Sequence, residues 1–108
     1  MRAEKLNADQ IQMGMTQLQG WTLDLVQNFI EKTCTFDSFP TAMAFFAQAG
    51  ALAERHNHHP EFVSTYTRMR VRLWTHDVHG LTRLDFELAT AIDHLLTTEF
   101  SYRFKTAK

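Results

Sequence analysis

The sequence predicts an α+β fold, a four-stranded antiparallel sheet with three helices packed on one face. Three observations lead there. Apolar residues recur at helical spacing over residues 8–18, 40–56 and from 84 onward; they alternate with polar ones over 68–76; and turn formers separate these runs at Gly20, Asp37-Ser38-Phe39-Pro40, His58-His59-Pro60 and Gly80. The order is helix, two strands, helix, two strands, helix.

Each element has a local reason. Asn7 followed by Gln10 is a helix cap with its capping-box partner, and Ile11, Met15 and Leu18 then share one face. Gly20 ends that helix and Trp21 opens an extended stretch. Over 29–36, Thr33, Thr35 and Phe36 favour a strand. Pro40 suits the first turn of the second helix, whose stripe is Ala42, Phe45, Phe46, Ala49, Leu52 and Ala53. His59 precedes Pro60, a position that disfavours helical backbone, so the helix stops there. Residues 62–66 read as a short strand. Over 68–76, Met69, Val71, Leu73 and Thr75 take one face, and Arg68, Arg70, Arg72, Trp74 and His76 the other. Thr82-Arg83-Leu84-Asp85 is a second capping box, with Leu84, Leu88, Ala91, Ile92 and Leu95 inward.

Length and composition limit the function. A chain of 108 residues fits one domain, 1–108, whose modest core would gain from burial against a second subunit. A net charge of −1 lacks the basic footprint of a nucleic-acid binder. The stretch 1–7 has no apolar run behind its charges, and no segment is apolar for long enough to span a bilayer. Cys34 has no second cysteine to pair with, which fits a reducing compartment. The expected location is cytoplasmic.

Chemistry concentrates in the second half. His56, His58, His59, His76 and His79 fall within one short stretch, with His94 apart from them. An imidazole titrates at about 6.5, so it gives and takes protons near neutrality. Glu54 stands one helical turn before His58, and Asp85 lies where a helix dipole favours its charge; either could hydrogen-bond an imidazole and orient it. Simpler readings exist for several of these. Asp85 serves as a capping-box acid, and Glu54 as a surface helix residue. Arg68, Arg70 and Arg72 suit the wet face of a sheet, while Cys34, Trp21, Phe45 and Phe46 suit a core. The imidazoles could hold zinc, but no cysteine accompanies them and no HExxH spacing occurs. No metal is expected.

One pattern is more specific. An acidic residue, three residues, His-His-Pro, five residues, an aromatic, nine residues, His, eight residues and Asp is met by Glu54, His58, His59, Pro60, Tyr66, His76 and Asp85. With Glu61, Thr75 and Gly80-Leu81 around it, this resembles the pterin-4a-carbinolamine dehydratases. The first half fits more loosely, through Leu18, Trp21, Phe36, Phe39, Ala42 and Phe45. The resemblance implies conversion of 4a-hydroxytetrahydropterin, left by aromatic amino acid hydroxylases, to quinonoid dihydropterin. No metal or organic cofactor would take part. It also implies roles: His58 and His76 as acid and base, His59 holding and polarising the pterin, and Glu54 and Asp85 orienting them. Pro60, Phe62 and Thr75 would complete the substrate site. Phe62 stands where a tryptophan is common, which keeps a flat wall but loses an indole hydrogen bond. The expected partners are a pterin and further copies of the chain in a homodimer or homotetramer. Members of this fold also serve as dimerisation or assembly partners of other proteins, which is the alternative function.

Overall fold

The order is α1 (Ala8–Thr16), β1 (Thr22–Asp24), β2 (Phe29–Phe36), α2 (Phe39–His56), β3 (Glu61–Thr65), β4 (Arg68–Leu73), a 3-10 turn (His76–Val78), α3 (Arg83–Glu99) and β5 (Phe104–Thr106). This computed structural model describes residues 3–106; residues 1, 2, 107 and 108, which the one-domain reading includes, lie outside the described residues. The α+β class and the antiparallel sheet are as expected. The main path runs β1-β2-β4-β3, and a fifth strand, β5, adds to it.

The extra strand shares an edge. β1 pairs with the start of β2 (Thr22 opposite Glu31, Asp24 opposite Phe29), and β5 pairs with its end (Cys34 opposite Thr106, Phe36 opposite Phe104). Two short strands thus cover one long edge that would otherwise stay open. At three residues, β5 is too short to show a periodicity in sequence. Gly20, at φ +76°, lets the chain pass closely here: an added Cβ would sit 2.6 Å from a methyl of Thr106.

The inner face of the sheet carries Ile30, Cys34 and Phe36 from β2 and Met69, Val71 and Leu73 from β4, all buried. α2 covers it with Ala42, Phe45, Ala49 and Ala53, and α3 with Leu88, Ala89, Ile92 and Leu96. Phe36, Phe45 and Phe100 pack as a triangle with centroids 5.1–5.9 Å apart. Two expected stripes are shifted. On α2, Phe46 is 43% exposed and rests edge-on against Phe62, 5.0 Å away. On α3 the buried line runs through Asp85, Ala89 and Leu96 rather than Leu84, Ala91 and Leu95. Burial of the Asp85 carboxylate turns the helix by about one residue.

Boundaries differ for identifiable reasons. α1 closes at Thr16 instead of 18, with Gln17 and Leu18 bonding back to Gly14 and Met15. β4 stops at Leu73, because its last pairings are Leu73 with Ile30 and Arg72 with Glu61. Beyond it the backbone pairs only through a Thr75–Gly80 bridge. β3 spans 61–65, and Tyr66 occupies the hairpin loop at φ 54°.

One inward lysine interrupts the core. Lys32 is 6% exposed, and its Nζ donates to Asp93 Oδ1 at 2.9 Å and to the Gln19 carbonyl at 2.8 Å. Trp21 Nε1 donates to the same Asp93 oxygen at 2.8 Å, so α3, β2 and the approach to β1 meet at one carboxylate. Burial pushes the neighbouring Cys34 thiol up to about 11; the Asp93 charge also raises it, while Lys32 and a hydrogen bond with Thr106 pull it down. At pH 8 only about one folded molecule in a thousand then carries the thiolate. Cys34 is expected to react with a disulfide reagent far more slowly in the native protein than in urea. Equal rates would show that the thiol is accessible.

Candidate active site

The histidine-bearing segments meet because two helix ends face each other. α2 ends at Asn57, in the left-handed region at φ 50°. The His58 N–H reaches back to the Ala53 carbonyl and the Asn57 N–H to that of Glu54, each at 3.1 Å. These paired bonds close the helix end and fix the direction in which His58 leaves it. The N-terminus of α3 lies opposite, with Thr82 as its cap and Asp85 as the capping-box acid.

Asp85 is fully buried, and both its oxygens are engaged. Oδ2 accepts from the Thr82 N–H at 2.9 Å and the Thr75 hydroxyl at 2.8 Å. Oδ1 lies 2.5 Å from His58 Nε2. The Thr75 proton goes to Asp85, so the 2.7 Å contact between Thr75 and Thr82 has the Thr82 hydroxyl donating. Thr82 Oγ1 in turn accepts from the Leu84 N–H at 3.2 Å. An acceptor-only carboxylate on Nε2 calls for the His58 proton there, so that in the neutral ring the lone pair is on Nδ1.

His58 borders a cleft of about 480 Å³, together with Ala3, His56, Asn57, His59, Trp74, Thr75, His76, Asp77, Arg83 and Leu84. His58 is 8% exposed, whereas His59 and His76 are open to solvent. His59 Nε2 lies 3.0 Å from Glu54 Oε1, an exposed pair that steadies the ring but contributes little to stability. His76 begins the 3-10 turn, its ring 5.9 Å from that of His79. A larger hollow of about 630 Å³ lies beside Lys32 and Asp93, whose charges are already directed at each other.

Of the residues picked from sequence, His58, His59, Thr75 and His76 line the cleft, while Asp85 and Glu54 stand behind two of its histidines. Pro60 and Phe62 do not line it; Phe62 sits on β3 against Phe46. Trp74, Arg83, Leu84 and Ala3 border the cleft without having been singled out. Trp74 had a readable signal, a large ring on the polar face of β4 next to Thr75-His76. Arg83 and Ala3 had none. Among the described residues, no three His, Cys, Asp or Glu side chains group as metal ligands. No described helix is long and apolar enough to cross a membrane.

Residues 4–95 match the family model described as pterin 4 alpha carbinolamine dehydratase. The chain belongs to that family. It is 43% identical over 93 residues to a candidate pterin-4-alpha-carbinolamine dehydratase of Rhizobium johnstonii, covering 86% of this chain and 92% of the relative. A similarly named protein of Sulfurisphaera tokodaii is 40% identical over 94 residues, 87% of this chain and 99% of the relative. Among solved structures, a transcriptional coactivator/pterin dehydratase from Brucella melitensis superposes with a TM-score of 0.81 at 33% identity, over 85% of this chain and 98% of that one. The family match begins after Ala3 and ends before β5, so one residue lining the cleft and one strand lie outside it.

Asp85→Ala removes the acceptor for three donors at once, one of them a helix cap. It is expected to destabilise the fold by at least about 2 kcal/mol, read as a lower urea midpoint. Thr82→Ala, which leaves the His58 contact in place, is expected to cost about 1 kcal/mol. An Asp85→Ala midpoint equal to wild type would mean that the carboxylate ties nothing together.

Proposed function

We propose that the chain is a dehydratase acting on 4a-hydroxytetrahydropterin, with histidines as its acid and base. The observation that carries this reading is the buried His58–Asp85 pair, set at the edge of a cleft that His59 and His76 also line. In the reaction, the N5–H proton is lost, the C4a–O bond breaks, the leaving hydroxyl takes a proton and departs as water, and a C4a=N5 double bond forms. One group must accept a proton while another donates one, and each well-placed group typically contributes about 10²–10⁴ in rate.

His58 suits the base, since its Nε2 proton is held by Asp85 and its Nδ1 lone pair is free. His76, on the exposed 3-10 turn, suits the acid and can be recharged from water. His59, steadied by Glu54, suits a binding and polarising role towards the pterin, and Thr75 lies within reach from the cleft wall. Asp85 and Glu54 are positioning residues. The chemistry asks for no metal and no organic cofactor. The physiological setting we propose is pterin recycling beside an aromatic amino acid hydroxylase, in the cytoplasm, by a homodimer or homotetramer.

His76→Ala is expected to lower the enzyme-accelerated rate of carbinolamine dehydration by at least about a hundredfold, and His59→Ala to lower turnover through weaker pterin binding, with the far-UV spectrum and urea midpoint unchanged in both. Wild-type turnover in both variants would overturn the histidine mechanism. Elemental analysis of active protein is expected to find no stoichiometric zinc.

A second reading has one observation in its favour, the description of the Brucella melitensis neighbour as a transcriptional coactivator as well as a pterin dehydratase. On this reading the chain is an assembly partner of another protein. A partner retained in pull-down by His59→Ala and His76→Ala alike would support it.

A further inference from the structure

We propose that Trp74 is the stacking platform of the cleft, a flat wall that favours the pterin as it flattens during loss of water. This rests on the dehydratase reading above and adds a residue to it.

The chain has two tryptophans, and the fold uses only one of them. Trp21 is 7% exposed, and its indole N–H is spent on Asp93. Trp74 is half-buried and lines the cleft. Among the described residues its N–H has no hydrogen-bond partner and no other ring packs on it. It sits one residue past Leu73, where β4 has lost both neighbours, and directly before Thr75, which is held by Asp85. An indole that stands outside the apolar core cluster, fixed at its backbone between a strand end and a buried threonine, is placed for a ligand.

The other lining residues make it the natural platform. Among those described, the remaining rings are four imidazoles, and the apolar side chains are Ala3 and Leu84, which offer no extended plane. Phe62, the aromatic expected to serve as a flat wall, packs on Phe46 instead.

The reaction gives such a plane a catalytic use. In the carbinolamine, C4a is tetrahedral and bends the bicycle. When the hydroxyl leaves and C4a=N5 forms, C4a becomes trigonal and the conjugated plane grows. A flat wall therefore makes better contact as the C4a–O bond breaks than it does in the ground state, and only such differential contact accelerates the step.

The test compares Trp74→Ala, Trp74→Leu and Trp74→Phe with wild type, each checked for an unchanged urea midpoint. Turnover is measured with the 4a-carbinolamine, and binding by calorimetry with biopterin, which is flat, and with anaerobic tetrahydrobiopterin, which is puckered. Alanine and leucine are expected to weaken biopterin about tenfold and tetrahydrobiopterin about threefold or less, and to lower kcat as well as raise KM. Phenylalanine, which restores a plane, is expected to recover most of the loss. Equal weakening of both pterins would reduce Trp74 to filler and overturn the proposal, as would full affinity in the leucine variant. If wild-type protein binds and turns over while Trp74→Ala does the same, the platform fails and the dehydratase reading stands. If wild type does neither, the dehydratase reading fails and the platform with it.

Discussion

The site depends on one buried carboxylate. Asp85 begins as a local necessity, the acid that satisfies an orphan N–H at the start of α3. Its second oxygen would be costly to bury unpaired, and His58 Nε2 meets it. The Thr75 hydroxyl adds a third tie. One residue thus joins the end of α2, the end of β4 and the start of α3, which are the three places that present imidazoles or the cleft wall. Cap and histidine partner are the same side chain, one oxygen serving each, so a stable helix start and an oriented His58 depend on one residue.

The same face of the sheet is held further along α3 by a comparable device. Lys32 and Trp21 both donate to Asp93, two turns further along α3. α3 is therefore tied by charge at one end and by charge in its middle, with Leu88, Ala89 and Ile92 packed between. A helix fixed at two points cannot rotate to bring Leu84 inward without breaking a carboxylate contact. This is why its buried stripe differs from the purely apolar one.

The main elements were legible because each carried its own local signal. Both capping boxes, Pro40 and the alternation through Met69, Val71 and Leu73 act over a few residues and are satisfied where they stand. What was not legible depends on distant partners. β5 exists because β2 offers an edge, and β4 ends because its neighbours do. In the site, the histidines were visible as a cluster, and Asp85 as a cap. That Asp85 is both cap and histidine partner could not be read, since it requires the end of α2 to arrive 27 residues away in sequence. Phe62 was misleading for the opposite reason: its neighbours in sequence carry the motif, but strand alternation turns it onto Phe46.

On the dehydratase reading proposed above, the contrast among the histidines matches what a dehydration would ask of its two proton carriers. The group that takes the pterin proton must meet a weakly acidic N–H in one geometry, which favours a ring whose backbone, tautomer and orientation are all held. His58 has each of these: a closed helix end behind it, Asp85 on Nε2, and little exposure. The group that delivers a proton to the leaving hydroxyl must be reprotonated every turnover, which favours contact with water. His76 has that contact, and its support, a short 3-10 turn, is correspondingly weaker; His59, proposed to bind the pterin, is equally open and rests only on an exposed Glu54. A cleft with every histidine buried would be precise but slow to reset. One with every histidine exposed would reset freely and align poorly. On that reading the two demands would be separated by one imidazole held behind a helix cap and others at the rim.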